Sequence, residues 1–341
     1  MLADGGGALR NGGGALRNGG GALRNVGALP YGCAVDHSSP ADPPWPASGA
    51  ALSVTDAADF GPAGDPPSAL SPSRAADFMT CPLLYRFRVI DRIPEPPTPA
   101  TARGTLVHAV LERLFDRPAA SRTPAAAREM LVPEWERLAE ADPDLGALFS
   151  DDSERSVWLR EASAALDGYF TLEDPRRLEP AQREWYVETE LDSGLRLRGY
   201  IDRLDMTPAG DIRIVDYKTG KVPREAYEAS ALFQMKFYAL VIWRVRGVIP
   251  RMLQLMYVAD GELLRYAPDE ADLRATQRKL EALWQAIERA RAASDWRPRP
   301  GKLCDWCRHK ALCPEFGGTP PPLPDRAPVT PEDTEVTISV D

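Results

Sequence analysis

Apolar residues along the chain keep two different spacings, and the change from one to the other marks out the elements. In "GTLVHAVLERLF", Leu106, Val107, Val110, Leu111, Leu114 and Phe115 recur at the three-and-four interval of a helix face and predict a buried helix. The stretch "SPSRAADFMTCPLLYRFRVI" opens on a Ser-Pro-Ser cap and keeps helical spacing as far as Cys81-Pro82. Helical patterns continue from about Thr123 to Phe170, and then the period falls to two. "EWYVETEL", "LRLRGYIDRLDM" and "DIRIVDYK" alternate apolar and polar residues between the turn sequences Ser193-Gly194 and Pro208-Ala209-Gly210, which predicts an antiparallel three-strand meander. A helical run, "REAYEASALFQMKFYALVIWRV", follows. A strand pair around Asp260-Gly261 comes next, and then a long amphipathic helix from Asp272 to Ala293. The sum is an α/β (α+β) fold, a mixed central sheet flanked by helices.

Composition limits where that fold begins and ends. "GGGALRN" occurs three times between Gly5 and Asn25, and each glycine inside a helix costs about 1 kcal/mol relative to alanine. Residues 1–68 are therefore expected to be a disordered Gly/Pro-rich tail, residues 69–316 one domain, and residues 317–341 a second disordered, acidic tail. No run of 18 apolar residues occurs and the first residues lack a basic start before an apolar stretch, so the expectation is a cytoplasmic protein with no membrane partner. A net charge of −9 argues against a polyanionic partner, but the average hides a basic segment: Arg274 to Lys310 holds ten Lys or Arg against four acids.

The candidate chemistry lies in "RIVDYKTGK". Residues two apart on a strand share a face, so Asp216 and Lys218 stand side by side, while Val215 and Tyr217 point the other way. Asp202 lies on the preceding strand, in "GYIDRLD", and a short turn can bring the two carboxylates within a few ångströms. Carboxylates that close repel unless a cation lies between them. Hard divalent ions such as Mg²⁺ and Mn²⁺ take oxygen ligands, and a neighbouring lysine can orient or deprotonate a water. That is the equipment of phosphodiester hydrolysis, whereas the simpler reading of Asp216 and Lys218 is a salt bridge. His108 interrupts an apolar helix with Glu112 four residues on, and Gln234 and Tyr238 share a helical face.

Five cysteines include a C-x2-C-x5-C run, Cys304, Cys307 and Cys313, with Cys81 far upstream and Cys33 in the Gly-rich tail. Thiolates at such spacing hold zinc or an iron-sulfur cluster.

Together "CPLLYRF", "GTLVHAVLE", "GYIDRLD", "IVDYKTG", "QMKFYAL" and "CDWCRHKALC" resemble, in order, the RecB-like branch of the PD-(D/E)XK nucleases, which includes the AddB nuclease domain and CRISPR-associated exonucleases. The resemblance runs from about Ser71 to Phe316. It implies a restriction-endonuclease-like sheet with a helical insertion and a cysteine staple. It also implies that His108, Asp202, Asp216 and the carbonyl of Tyr217 are metal ligands for Mg²⁺ or Mn²⁺, and that Lys218 acts on the water. Gln234 and Tyr238 would face the scissile phosphate or support the lysine, with Glu190 contributing from further out. Cys81, Cys304, Cys307 and Cys313 would hold a [4Fe-4S] cluster. The alternative there is zinc on the late trio plus His309 or Cys81. The implied activity is a DNA exonuclease of repair or recombination, a monomer acting on single strands or ends. The sequence has no G-x-x-x-x-G-K-[ST] run, which leaves a helicase motor, if one is used, to a partner. A competing reading is a catalytically idle, DNA-binding cluster protein, which would have lost one of His108, Asp202, Asp216 or Lys218; all four are present.

Overall fold

The structure, a computed structural model, describes residues 69–222 and 225–324. The expected Gly-rich tail, with Cys33, and residues 325–341 lie outside the described residues. Strand β1 (Ala69–Leu70) leads into α1 (Pro72–Thr80), whose N-cap Ser71 accepts a hydrogen bond from the Arg74 amide. After α2 (Pro82–Tyr85) and a wide turn over Arg86–Ile90, helix α3 (Pro99–Leu114) opens on a capping box between Thr98 and Thr101. Helices α4 (Pro124–Ala141), α5 (Pro143–Gly146) and α6 (Asp152–Leu172) form the helical segment expected before the strands. The meander is β2 (Gln182–Glu190), β3 (Arg196–Met206) and β4 (Ile212–Lys218). Helix α7 (Glu225–Arg246), β5 (Met252–Tyr257), β6 (Glu262–Tyr266) and α8 (Glu270–Ala292) complete the fold, followed by short turns that carry the late cysteines.

The six strands form one mixed sheet, ordered β1-β3-β4-β5-β6, with β2 on the other edge of β3. The β2, β3 and β4 pairings are antiparallel as the turn sequences predict, and β4 to β5 is parallel because α7 crosses between them. Strand β4 is buried along both faces. Ile212 and Ile214 join the core under α1, α7 and α8, and Val215 and Tyr217 join the core under α3, α4 and α6. Two-residue β1 has no periodic signal of its own; its parallel pairing with Arg196 and Leu197 creates it. The described chain also continues in place beyond the boundary expected at Phe316: Leu323 packs on the α7 side, and the Pro321 carbonyl accepts from the Arg86 guanidinium.

Candidate active site and cysteine cluster

The site begins where two strands part. β3 pairs with β4 only from Arg203, opposite Val215, to Met206, opposite Ile212. β2 fills the other edge of β3, and β1 returns to the β4 edge only at Arg196 and Leu197, so residues 198–202 face an opening on that edge. Ile201 and Leu204 both pack in the α7/α8 core, so the period-two alternation breaks between them. Asp202 sits at that break, and its Oδ2 accepts the Tyr217 amide at 2.7 Å.

His108 reaches the same place from α3. Its Nε2 donates to the Tyr217 carbonyl at 2.8 Å, and its Nδ1 lies 3.5 Å from Asp202 Oδ2 and 3.8 Å from Glu184 Oε1. Ligand atoms of His108, Glu184 and Asp202 all fall within 4.8 Å of one another. Burial opposes charge on the imidazole, yet Asp202, then Glu184 and Asp216, outweigh it and push the ring up to about 9. Burial, followed by neighbouring carboxylates, raises both acids: Asp202 through Glu184, and Asp216, through Asp202, to about 6. The cluster thus holds an excess of negative charge that the imidazolium offsets.

Asp216 and Lys218 stand together as the strand period requires. Lys218 Nζ lies 2.8 Å from Asp216 Oδ2 in an ion pair that lacks hydrogen-bond geometry, and donates to Gln234 Oε1 at 2.9 Å. Burial would lower the lysine, but Asp216 and Asp202 raise it above the ordinary value and keep it an ammonium. Tyr238, one helical turn beyond Gln234, is 6% exposed, and a Cβ on Gly199 would lie 2.8 Å from its ring. The carboxylates of Asp202 and Asp216 act on its phenol, which burial already raises. All of the sequence-predicted catalytic residues therefore meet at the opening.

Glu190 does not join them: it pairs across from Arg196, near the β2–β3 turn and away from Asp202. The residue missed by sequence reasoning is Glu184, which the hairpin register places opposite Asp202 and whose backbone φ of 40° is a strained, left-handed conformation. A turn closed by Leu191 and Leu195 fixes that register, so counting back from the turn reaches Glu184. Glu112, four residues beyond His108, is raised by burial and then by Glu184, so it belongs to the same acidic environment.

These donors fit a hard divalent cation. Adjacent ligands of an octahedral ion with bonds of about 2.1 Å lie about 3 Å apart, which is close to the His108 Nε2 to Tyr217 carbonyl separation of 2.8 Å. His108, Asp202, Asp216, the Tyr217 carbonyl and Glu184 are the residues that would hold the ion. A bound ion would neutralise charge on a phosphate and lower the pKa of a water. Of the chain's own groups, Lys218 can orient that water and face a phosphate oxygen, Gln234 fixes the ammonium, and Tyr238 walls the opening.

At the far end of α1, Cys81, Cys304, Cys307 and Cys313 are free thiols lining one cavity of about 600 Å³. The backbone amides of Arg299 and Gly301 donate to Cys81 Sγ and Cys304 Sγ, each at 3.3 Å. Burial first, and then the nearness of the other three cysteines, raises the Cys307 thiol. His309 is engaged elsewhere: its Nε2 meets Glu95 Oε1 at 2.6 Å and its ring lies against Phe87.

The Gene 69 protein of Mycobacterium phage D29 is 26% identical over 275 residues, which span 72% of this chain and 96% of that protein. Among solved structures, a candidate exonuclease from Eubacterium rectale has a TM-score of 0.47 at 13% identity, over 71% of this chain and 88% of that one. SSO0001 has a TM-score of 0.31 at 15% identity, over 63% and 95%. The family model of the PD-(D/E)XK nuclease superfamily matches residues 69–314, the whole sheet with its helices and the three late cysteines, and this chain belongs to that superfamily.

Proposed function

We propose that this protein is an Mg²⁺- or Mn²⁺-dependent exonuclease that hydrolyses phosphodiester bonds of DNA at strand ends or in single strands, in repair or recombination. The observation that carries the reading is the convergence of Asp216 and Lys218, 2.8 Å apart, with Asp202, His108 and the Tyr217 carbonyl at one opening of the sheet. A structural salt bridge accounts for the first pair alone and leaves three more polar groups aimed at the same point. Because the Asp216 and Asp202 charges keep Lys218 an ammonium, its role is to orient the water and steady the phosphate charge. The protein acts as a monomer in the cytoplasm, and a helicase partner would supply strand separation. The test is cleavage of end-labelled single- and double-stranded DNA with Mg²⁺ or Mn²⁺, and with EDTA. Metal-dependent release of nucleotides from an end supports the reading, and absence of cleavage with either metal refutes it.

The four cysteines are assigned to a [4Fe-4S] cluster. All four residues line one cavity, which joins the early cysteine to the late trio. Amide hydrogen bonds to two of the sulfurs are of the kind that tune cluster potentials.

A further inference from the structure

Beside the active-site opening stand two tyrosines that the hydrolytic chemistry does not use. Tyr186 on β2 and Tyr200 on β3 are cross-strand partners, with ring centroids 5.3 Å apart and planes inclined at 59°. Val187, Leu197 and Ile201 turn into the α7/α8 core, so the alternate positions Tyr186 and Tyr200 point to the opposite face. They remain 41% and 40% exposed, where most aromatic residues among the described residues are buried. Two residues along each strand lie Glu184 and Asp202, about 7 Å away at the rise of a strand. Beyond the rings on the other side come Glu188 and Arg198, paired across the strands, and Arg196, which bonds Glu188. The Tyr186 hydroxyl donates to Glu188, which fixes that ring before any ligand arrives. A cross-strand aromatic pair stabilises a hairpin by its mutual contact, but that contact does not require both rings to stay open to solvent next to a hydrolytic site.

We infer that Tyr186 and Tyr200 form a stacking platform for an unpaired nucleobase of the strand whose phosphodiester lies at His108, Asp202 and Asp216. This rests on the nuclease reading above and sharpens it: the substrate strand must offer an unstacked base close to the scissile bond, which a paired duplex does only after it frays. Aromatic rings suit that occupant because every base has a π face.

The test compares wild type, the double variant Y186A/Y200A and the double variant Y186F/Y200F on single-stranded oligonucleotides with Mg²⁺ or Mn²⁺. Binding is read separately by anisotropy in a Lys218→Ala background. The alanine pair is expected to raise both KM and the Kd about tenfold or more, with kcat within about twofold, and the phenylalanine pair to keep the wild-type affinity. A single abasic position scanned along the oligonucleotide should weaken wild type at one site near the cut and leave the alanine pair unaffected there, since the two losses share one contact. Equal binding by wild type and the alanine pair, or equal losses in the phenylalanine and alanine pairs, overturns the platform. So does a wild-type dimer that the alanine pair dissolves, which would assign the rings to a self-interface. If wild type cleaves and only the tyrosine effect is missing, the platform alone fails. If wild type cleaves nothing, the nuclease reading fails and the anisotropy measurement still decides the platform.

Discussion

Lys218 and Glu184 show how differently two residues of one site are exposed to sequence reading. Lys218 stands two positions from Asp216 on a strand, so their adjacency follows from strand geometry alone. Lys218→Ala should lower metal-dependent cleavage about a hundredfold or more while the melting temperature stays within a few degrees, because the role proposed for the side chain is charge stabilisation and it is 29% exposed. Wild-type cleavage by folded Lys218→Ala protein would remove it from the mechanism. Glu184 gives no motif, and its part depends on which residue of β3 it opposes. Glu184→Gln keeps the shape and removes the charge, so the Mg²⁺ concentration for half-maximal cleavage should rise about tenfold or more. An unchanged metal titration would show that the strained Glu184 backbone has another cause.

At the scale of elements, the parting of β3 from β4 makes the site, and two features hold it open. Gly199 lets Tyr238 lie against the β3 backbone, since a Cβ there would stand 2.8 Å from the ring and 3.4 Å from Pro72. Gly199→Ala should therefore cost about 1–3 kcal/mol, seen as a lower midpoint in urea, because Tyr238 is too buried to swing aside. Below the opening, fully buried Arg203 bonds Glu173, Asp205 and the Tyr217 hydroxyl, anchoring the residue whose carbonyl faces His108. Arg203→Leu leaves two buried carboxylates short of a partner and should cost about 3–5 kcal/mol at neutral pH. Burial would raise Glu173, but Arg203 and Arg213 outweigh it and hold its carboxyl below the ordinary value. A depressed carboxyl stabilises the fold above its unfolded pKa and loses that contribution as pH falls through the folded one. Wild type should thus lose stability on acidification in the range below the ordinary glutamate value of 4.5. A midpoint for Arg203→Leu equal to wild type at neutral pH would contradict the anchoring role.

For the molecule as a whole, the four cysteines join the start of the described domain to its end, and α1 connects them to the catalytic opening. Protein purified without oxygen should be brown and contain iron and sulfide. Cys307→Ser should bleach it and lower the melting temperature, since a group bound only by the folded chain stabilises the fold. Colourless protein with one zinc per chain would replace the cluster by zinc and leave the nuclease reading intact.

The sequence by itself determined the elements, because hydrophobic period, caps and turn residues act within a few positions of one another. The meander, the α7 helix and the buried α3 helix were all legible, as were Asp216 with Lys218 and Gln234 with Tyr238, pairs set by one strand and one helix. Pairings across the chain were not. Strand β1 exists only where β3 offers it an edge, Glu184 enters the site through hairpin register and Glu190 leaves it by the same register. The break in alternation at Asp202 arises where β3 must serve β2 on one edge and part from β4 on the other. Local patterns record what each segment buries, whereas the opening that makes a site is a property of how three strands share one edge, and only the tertiary structure decides that.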